Sequence, residues 1–180
     1  MKRFCLKTGE IVTIRVAEKS DAKELIGVVN RIGEESEFLT FGRGEFKMTV
    51  EQEEAYLEAV SKQSNSVYFV AEINGKIAGL VSFAGGTRPR TEHTGELSVS
   101  VLKEYWGMGI GRRLMEELIE WAKGTGIIRK INLRVRKDNE RAIRLYKKLG
   151  FTESGIISRE MQVNGVFYDN LCMGYEIDPD

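Results

Sequence analysis

A glycine-rich segment joins a predicted strand to a predicted helix. Gly107, Gly109 and Gly111 lie between residues 97–101, which are apolar at every second position, and a segment from Ile110 onward with apolar residues at helical spacing. Glycine lacks a Cβ, so its backbone can adopt unusual dihedrals and approach a ligand closely, and a helix start carries unpaired N–H groups. The segment therefore predicts either an anion-binding site at a helix N-terminus or a tight turn without a ligand.

Two common nucleotide-binding motifs do not account for this segment. The phosphate-loop string G-x-x-x-x-G-K-[ST] does not occur in the sequence. A Rossmann fingerprint would require an acidic residue roughly 20 positions after the glycines, at the end of the next strand. Here that strand, 131–135, continues into Arg136 and Lys137, so a carboxylate for a ribose is missing from the expected place.

Composition and charge exclude several classes of protein. The 180 residues suit a single domain, predicted to span residues 1–180, and 27 basic residues balance 27 acidic residues. A general attraction to nucleic acid or to an anionic membrane is therefore not expected. Cys5 and Cys172 match no metal-ligand spacing, so we predict two reduced thiols and no metal site. Since no apolar run approaches about 18 residues, we expect a cytoplasmic protein without a membrane span.

The periodicity of apolar residues predicts a mixed α/β layout with one sheet between helices, in the order β-α-α-β-β-β-α-β-α-β-β. The predicted ranges are strand 11–16, helices 22–35 and 50–60, strands 67–73, 76–83 and 96–101, helix 110–122, strand 130–135, helix 140–149, and strands 151–161 and 166–177. The signals that bound them are two capping boxes (Asp21 with Glu24, Thr49 with Gln52), a type I′ turn at Asn74-Gly75, a cap at Asp138-Asn139 and a C-terminal glycine, Gly150.

Four parts of the sequence together resemble the GNAT superfamily of acyl-CoA-dependent N-acetyltransferases. They are the strand 96–101, the loop 107–111, Asn139 within 138–142, and the run 145–151. The resemblance covers nearly the whole chain, from about residue 11 to residue 177. It implies a GNAT fold: a mixed, mostly antiparallel seven-stranded sheet with a splay between two central parallel strands, and helices on both faces.

The resemblance also implies where acetyl-CoA, the co-substrate, binds. Backbone N–H groups of the loop would hold the pyrophosphate, and the strand would pair with the pantetheine arm. The implied contacts are Leu97, Ser98, Val99, Val101, Trp106, Gly107, Met108, Gly109, Ile110, Gly111, Arg112, Asn139 and Tyr146. Trp106 departs from the family, which usually has arginine or glutamine near the start of this loop, although Tyr-Trp-Gly-x-Gly-Ile-Gly resembles a variant in bacterial ribosomal-protein and polyamine acetylating branches. Arg112 also fits a solvated helix face, and Asn139 also fits a simple cap.

Two catalytic roles follow from the resemblance. Tyr146 would be the general acid for the leaving thiolate, although a tyrosine in an apolar helix stripe is otherwise a packing residue. A protonated amine must lose a proton before it can attack, and Glu96 at the start of its strand would accept that proton directly or through water. His93, the only histidine, is a weaker candidate for this base.

By the same resemblance, the segment 36–46 and the last hairpin shape the pocket for the acceptor amine. Glu37, Phe38, Phe41 and Glu96 are the predicted acceptor contacts, although the acidic run 34–37 also fits a solvated helix end. The predicted function is transfer of the acetyl group to a primary amine, on a small molecule or a protein N-terminus, by direct attack in a ternary complex. The alternative is a non-catalytic sensor that binds acyl-CoA on the same fold. A homodimer is common in the family and is expected here.

Overall fold

One eight-stranded sheet with four helices makes up the structure, a computed structural model that describes residues 1–178. The strands are β1 (Lys2–Cys5), β2 (Ile11–Val16), β3 (Val67–Ile73), β4 (Lys76–Gly85), β5 (Thr94–Val101), β6 (Lys130–Arg136), β7 (Thr152–Val163) and β8 (Val166–Glu176). The helices are α1 (Ala22–Glu35), α2 (Val50–Ser61), α3 (Ile110–Gly124) and α4 (Glu140–Lys148).

The sheet order is β1-β2-β3-β4-β5-β6-β8-β7, and among the strands of the described residues only β5 and β6 pair in parallel. One core packs α3 and Tyr146 of α4 against one face, and a second core packs α1 and α2 against the other. The predicted mixed α/β architecture with helices on both faces is confirmed. The strand count of seven was one too low, because β1 carries little alternation of apolar residues and is recognisable only from its pairing with β2.

Strands β5 and β6 stay together for only a short distance. Their paired residues run from Thr94 opposite Lys130 to Glu96 opposite Asn132, and no pair follows although both strands continue. The backbone of β5 beyond Glu96 is therefore paired with β4 on one edge and open on the edge towards β6. This confirms the predicted splay and opens a gap in the middle of the sheet.

Most of the predicted boundary signals are confirmed. The Thr49 hydroxyl accepts from the Gln52 amide at 3.2 Å, and the Gln52 side chain accepts from the Thr49 amide at 2.9 Å. Asn74 and Gly75 have φ of 50° and 76° in the turn between β3 and β4, as a type I′ turn requires. Gly150 follows α4 with φ of 96°.

The predicted capping box of Asp21 with Glu24 is wrong. A turn of 3₁₀-helix at Lys19–Asp21 precedes α1, and the Asp21 carboxylate accepts from the Glu18 amide at 2.7 Å and from the Arg15 guanidinium at 2.7 and 2.8 Å. The Glu24 carboxylate instead accepts from the Ile77 amide at 2.7 Å, which ties α1 to β4. A contact with a distant strand has displaced the local one.

A bulge interrupts the long hairpin of β7 and β8. Ile157 lies opposite Asn170 and Met161 opposite Tyr168, so three residues of β7 face the single residue Asp169. Arg159 within the bulge has φ of 53°, and its amide donates to the Asp169 carboxylate at 3.0 Å. The bulge changes the direction of the β7 side chains that follow it.

Glu53 on α2 is buried without an ion-pair partner within residues 1–178, and its side chain is expected to lower stability at neutral pH. Burial raises the pKa of the Glu53 carboxyl above its usual range, so the folded state favours the protonated form. Protonated Glu53 therefore contributes favourably to the free energy of unfolding below the pKa that it has in the unfolded chain. This contribution is lost as the pH rises through the higher pKa that Glu53 has in the folded protein. We expect Glu53→Gln to raise the free energy of unfolding at pH 8 by about 1 kcal/mol, or Tm by about 2–4 °C.

Thermal unfolding at pH 8 and at pH 5 checks this expectation, and the gain should shrink at the lower pH. Glu51→Gln is a control that should change the free energy of unfolding at pH 8 in the opposite direction, because hydrogen bonds at the start of α2 lower the pKa of the Glu51 carboxyl. An equal gain for Glu53→Gln at both pH values would show that titration of this carboxyl is not the cause.

Candidate active site

The gap between β5 and β6 opens into a cleft of about 1080 Å³. Its walls come from β5, the loop after it, the start of α3, the second half of β6 and α4. Its other end is closed by the end of α1, the segment 36–41, and side chains of β7 and β8. A volume of this size suits a large ligand together with a small second one.

The glycine loop forms an open helix start at one end of this cleft. Gly107 and Gly109 have φ of 82° and 85°, in the left-handed region that favours glycine. Gly109 is the N-cap of α3, and its carbonyl accepts from the Arg113 amide at 3.1 Å. The amides of residues 109–112 precede this first helical bond and are directed out of the helix, at the positive end of its dipole. The Met108 amide, by contrast, donates to the Tyr105 carbonyl at 3.4 Å.

Trp106 anchors this loop to the end of β5. Its indole Nε1 donates to the Val101 carbonyl at 2.7 Å, and the Arg141 guanidinium lies 5.7 Å from the ring centroid. The tryptophan therefore holds the loop through a bond to the strand. Arg141 stands beside the same loop, where a Cβ added to Gly107 would lie 3.9 Å from its Nη2.

Basic side chains surround the loop end of the cleft. Arg112 lines it, although its Nε also pairs with the Glu116 carboxylate at 2.7 Å. Arg141, Arg144 and Lys148 of α4 line it as well and were not predicted. In the sequence they belong to a run of basic residues with the spacing of a solvated helix face, so no local signal distinguished them.

Tyr146 and Asn139 enter the cleft from opposite ends of α4. Tyr146 is 9% exposed, its ring packs 6.0 Å from that of Phe151, and burial raises the pKa of its hydroxyl to about 12. The phenol is therefore fully protonated at neutral pH. The Asn139 side-chain oxygen Oδ1 accepts from the Ala142 amide at 3.2 Å, which confirms the cap, and the residue also lines the cleft.

Of the two predicted bases, only Glu96 lines the cleft. Its carboxylate pairs with the Arg134 guanidinium at 3.1 and 3.2 Å, and both side chains are about half exposed. His93 is exposed in the turn before β5 and is not among the lining residues of the described chain. Its carbonyl accepts from the amides of Arg129 and Lys130, which positions the start of β6 beside β5.

At the end of the cleft away from the glycine loop, called the acceptor end because the sequence predicts the acceptor contacts there, Phe38 and Phe41 line the cleft, whereas the exposed Glu37 side chain does not. The Glu37 carbonyl accepts from Arg136 at 2.9 Å, and the Phe38 ring packs 4.4 Å from the same guanidinium. Arg136 is 5% exposed and also makes a bidentate pair with Asp138 at 2.7 and 2.9 Å. This unpredicted arginine therefore holds the segment 36–41 against β6.

A family model described as "Acetyltransferase (GNAT) family" matches residues 34–151, about two thirds of the chain and most of the cleft walls. The chain belongs to this family. The earlier resemblance is thereby confirmed.

Individual GNAT proteins extend the comparison. A GNAT-family acetyltransferase structure from Streptococcus pneumoniae is 36% identical with a TM-score of 0.90, and the match covers 93% of this chain and 99% of that one. The structure of yncA, a putative acetyltransferase from Salmonella typhimurium with its cofactor acetyl-CoA, is 26% identical with a TM-score of 0.82 and coverage of 94% and 95%. Spermidine N(1)-acetyltransferase from Escherichia coli is 29% identical over 128 residues, 71% of this chain and 67% of that protein.

As a GNAT protein, the chain is an acetyl-CoA-dependent N-acetyltransferase that acts on an amine. The cleft fits this co-substrate on structural grounds, because it combines an open helix start with an unpaired strand edge. Within residues 1–178, no helix is long and apolar enough to cross a membrane.

Proposed function

We propose that the protein transfers the acetyl group of acetyl-CoA to a primary amine by direct attack, with both substrates in the cleft at the β5/β6 splay. The observation that carries this proposal is that one cleft contains the open start of α3, the unpaired edge of β5 and the buried Tyr146. Most of the catalysis would then come from positioning, hydrogen bonding to the thioester oxygen and proton transfer. The whole chain would act as one catalytic domain.

In this proposal the loop end of the cleft holds the coenzyme A portion. The amides of residues 109–112 donate to the pyrophosphate, while Arg112 and Arg141 supply positive charge. The open edge of β5, from Leu97 to Val101, pairs with the pantetheine amides as an added strand would. Asn139, Gly107 and Ile110 complete the contacts along the wall.

Tyr146 donates a hydrogen bond to the sulfur that leaves. Its phenol, with a pKa of about 12, is a weaker acid than an ordinary thiol with a pKa of about 8.5. Complete transfer of the proton from the phenol to an ordinary thiolate is therefore unfavourable. A thiolate formed in the same buried site is also desolvated, which raises the pKa of that thiol and reduces the difference between the two pKa values. Stabilisation of the developing thiolate is therefore the main contribution of Tyr146, and the proton follows as the sulfur departs.

Glu96 accepts the proton of the incoming amine, directly or through water. We expect Glu96→Gln to lower kcat/KM for the amine at least tenfold at pH 7, because general-base assistance is worth about 10²–10⁴ in rate. The loss should shrink towards pH 10, where more of the amine arrives unprotonated. Initial rates from pH 6.5 to pH 10 measure this dependence.

Glu153→Gln is the matched control for Glu96. Glu153 also forms an ion pair, with Lys147 at 2.7 Å, and its side chain is similarly half exposed, but it is not a lining residue of the cleft. A pH-independent loss in Glu96→Gln, or the same loss in Glu153→Gln, would contradict the role of Glu96 as base.

Thiol release from acetyl-CoA across a panel of small amines and N-terminal peptides tests the function as a whole. Release that depends on both substrates, with formation of the acetylated amine, is the expected result. Tight binding of acetyl-CoA with no release for any amine would instead support the non-catalytic sensor.

A homodimer and a cytoplasmic location are part of the same proposal. The outer strand β7 presents Ile156 and Ile157, 53% and 40% exposed, on the edge of the sheet. Apolar residues on an open edge strand favour association with another chain. Sedimentation equilibrium would measure the oligomeric state.

A further inference from the structure

We propose that Glu160 and Asn170, at the acceptor end of the cleft, bind a second cationic group of the acceptor, separate from the amine that is acetylated. The inference rests on the proposed function. It names the substrate class as amines that carry another ammonium or guanidinium group.

Two hydrogen-bond acceptors in the cleft wall lack partners. Asn170 on β8 is 4% exposed, and its Oδ1 is buried with no hydrogen bond from residues 1–178. Glu160 at the bulge of β7 uses Oε1 to pair with Arg134 at 2.5 Å, whereas its buried Oε2 also lacks a partner there. A buried acceptor without a partner has lost its hydrogen bonds to water, so a ligand that donates N–H groups to both atoms recovers that loss.

The charges at this end favour a cation. Glu160 and Glu96 share one guanidinium, that of Arg134, while the neighbouring Arg136 is paired with Asp138. One carboxylate charge is therefore uncompensated among these residues. The loop end, by contrast, presents several basic side chains, so the cleft is positive where phosphates are proposed to bind and negative where the acceptor is proposed to bind.

The position of Asn170 separates it from the reacting amine. Asn170 lies opposite Arg136 on β6, and Glu96 lies opposite Asn132 on the same strand. Asn132 and Arg136 are four residues apart on β6, or about 13 Å along the strand. Because of this separation along the strand, we assign the group bound at Asn170 to a position apart from the amine served by Glu96. Glu160, whose Oε1 shares the Arg134 guanidinium with Glu96, is the nearer of the two residues to that amine.

A matched pair of acceptors tests the inference. 1,4-Diaminobutane and 1-aminobutane have the same chain length, but at pH 8 only the diamine carries a second ammonium while one nitrogen reacts. We expect the wild-type protein to have at least tenfold higher kcat/KM for the diamine. Asn170→Leu and Glu160→Gln should each reduce the diamine-to-monoamine ratio about tenfold or more, because the first removes a hydrogen-bond acceptor and the second removes the negative charge that strengthens the bond to the ammonium.

Controls separate this effect from loss of folding. Gln162→Leu changes an exposed residue of β7 that is not a lining residue, and it should keep the wild-type ratio. Thermal unfolding of each variant reports on folding. If Asn170→Leu does not fold, Glu160→Gln still tests the inference, because it keeps the shape of the side chain. A wild-type ratio near one, or a ratio unchanged in Glu160→Gln, would overturn the inference while acetylation itself continued. Absence of acetylation with every amine would instead overturn the proposed function.

Discussion

Replacing Tyr146 with phenylalanine is expected to lower kcat by about two to three orders of magnitude, with the Kd for acetyl-CoA within about twofold of wild type. The ring would still pack against Phe151, so the cleft keeps its shape. Only the hydroxyl is lost, and with it the hydrogen bond to the leaving sulfur. Single-turnover thiol release measures the rate, and calorimetric titration with acetyl-CoA measures the affinity.

Tyr175→Phe is a suitable control for this variant. Tyr175 packs 5.4 Å from the same Phe151 ring, but it is not a lining residue of the cleft. We expect turnover close to wild type in Tyr175→Phe. Equal turnover in Tyr146→Phe and wild type would remove the hydroxyl from the mechanism.

Introducing aspartate at Gly109 is expected to raise the Kd for acetyl-CoA by about 10- to 100-fold. The added carboxylate would stand at the open start of α3, where it competes with the pyrophosphate for the N–H groups and repels it. Isothermal titration with acetyl-CoA measures the change. Part of any effect on stability would come from the left-handed backbone, which costs about 1–2 kcal/mol for a residue other than glycine.

Gly126→Asp separates the two causes. Gly126 has φ of 66°, and at neither glycine would an added Cβ meet another atom of residues 1–178 within 4 Å. Both variants therefore carry the same kind of backbone strain, but only Gly109→Asp places a carboxylate at the start of α3, so only Gly109→Asp should bind acetyl-CoA more weakly. If the two variants bound it equally well, the helix start would not be the phosphate site.

The fold was predictable where local and distant interactions agree. The turn at Asn74-Gly75 and the cap at Thr49 depend on residues within four positions of each other, so their signals are readable in the sequence. The start of α1 at Ala22 was predicted correctly, but the Asp21–Glu24 capping box was wrong because Arg15 of β2 holds the Asp21 carboxylate. Strand β1 was missed because only its pairing with β2 identifies it.

The same difference between local and distant interactions decides how much of the candidate active site could be predicted. The loop end is built from two short segments, around residues 96–112 and 139–146, whose spacing carries a recognisable pattern. At the acceptor end, Arg136, Glu160 and Asn170 come from three strands that meet only through sheet pairing and a bulge. Each has an ordinary strand context in the sequence, so no local signal marked it.

The bulge in β7 makes the acceptor end sensitive to chain length as well as to side-chain identity. Three residues of β7 face Asp169 alone, so removing one of them would turn a different side chain towards the cleft in place of Glu160. The residues that form the open start of α3 belong to other parts of the chain and would keep their positions. Through insertions and deletions in a single hairpin, a lineage can therefore exchange one amine for another while its use of acetyl-CoA is inherited intact.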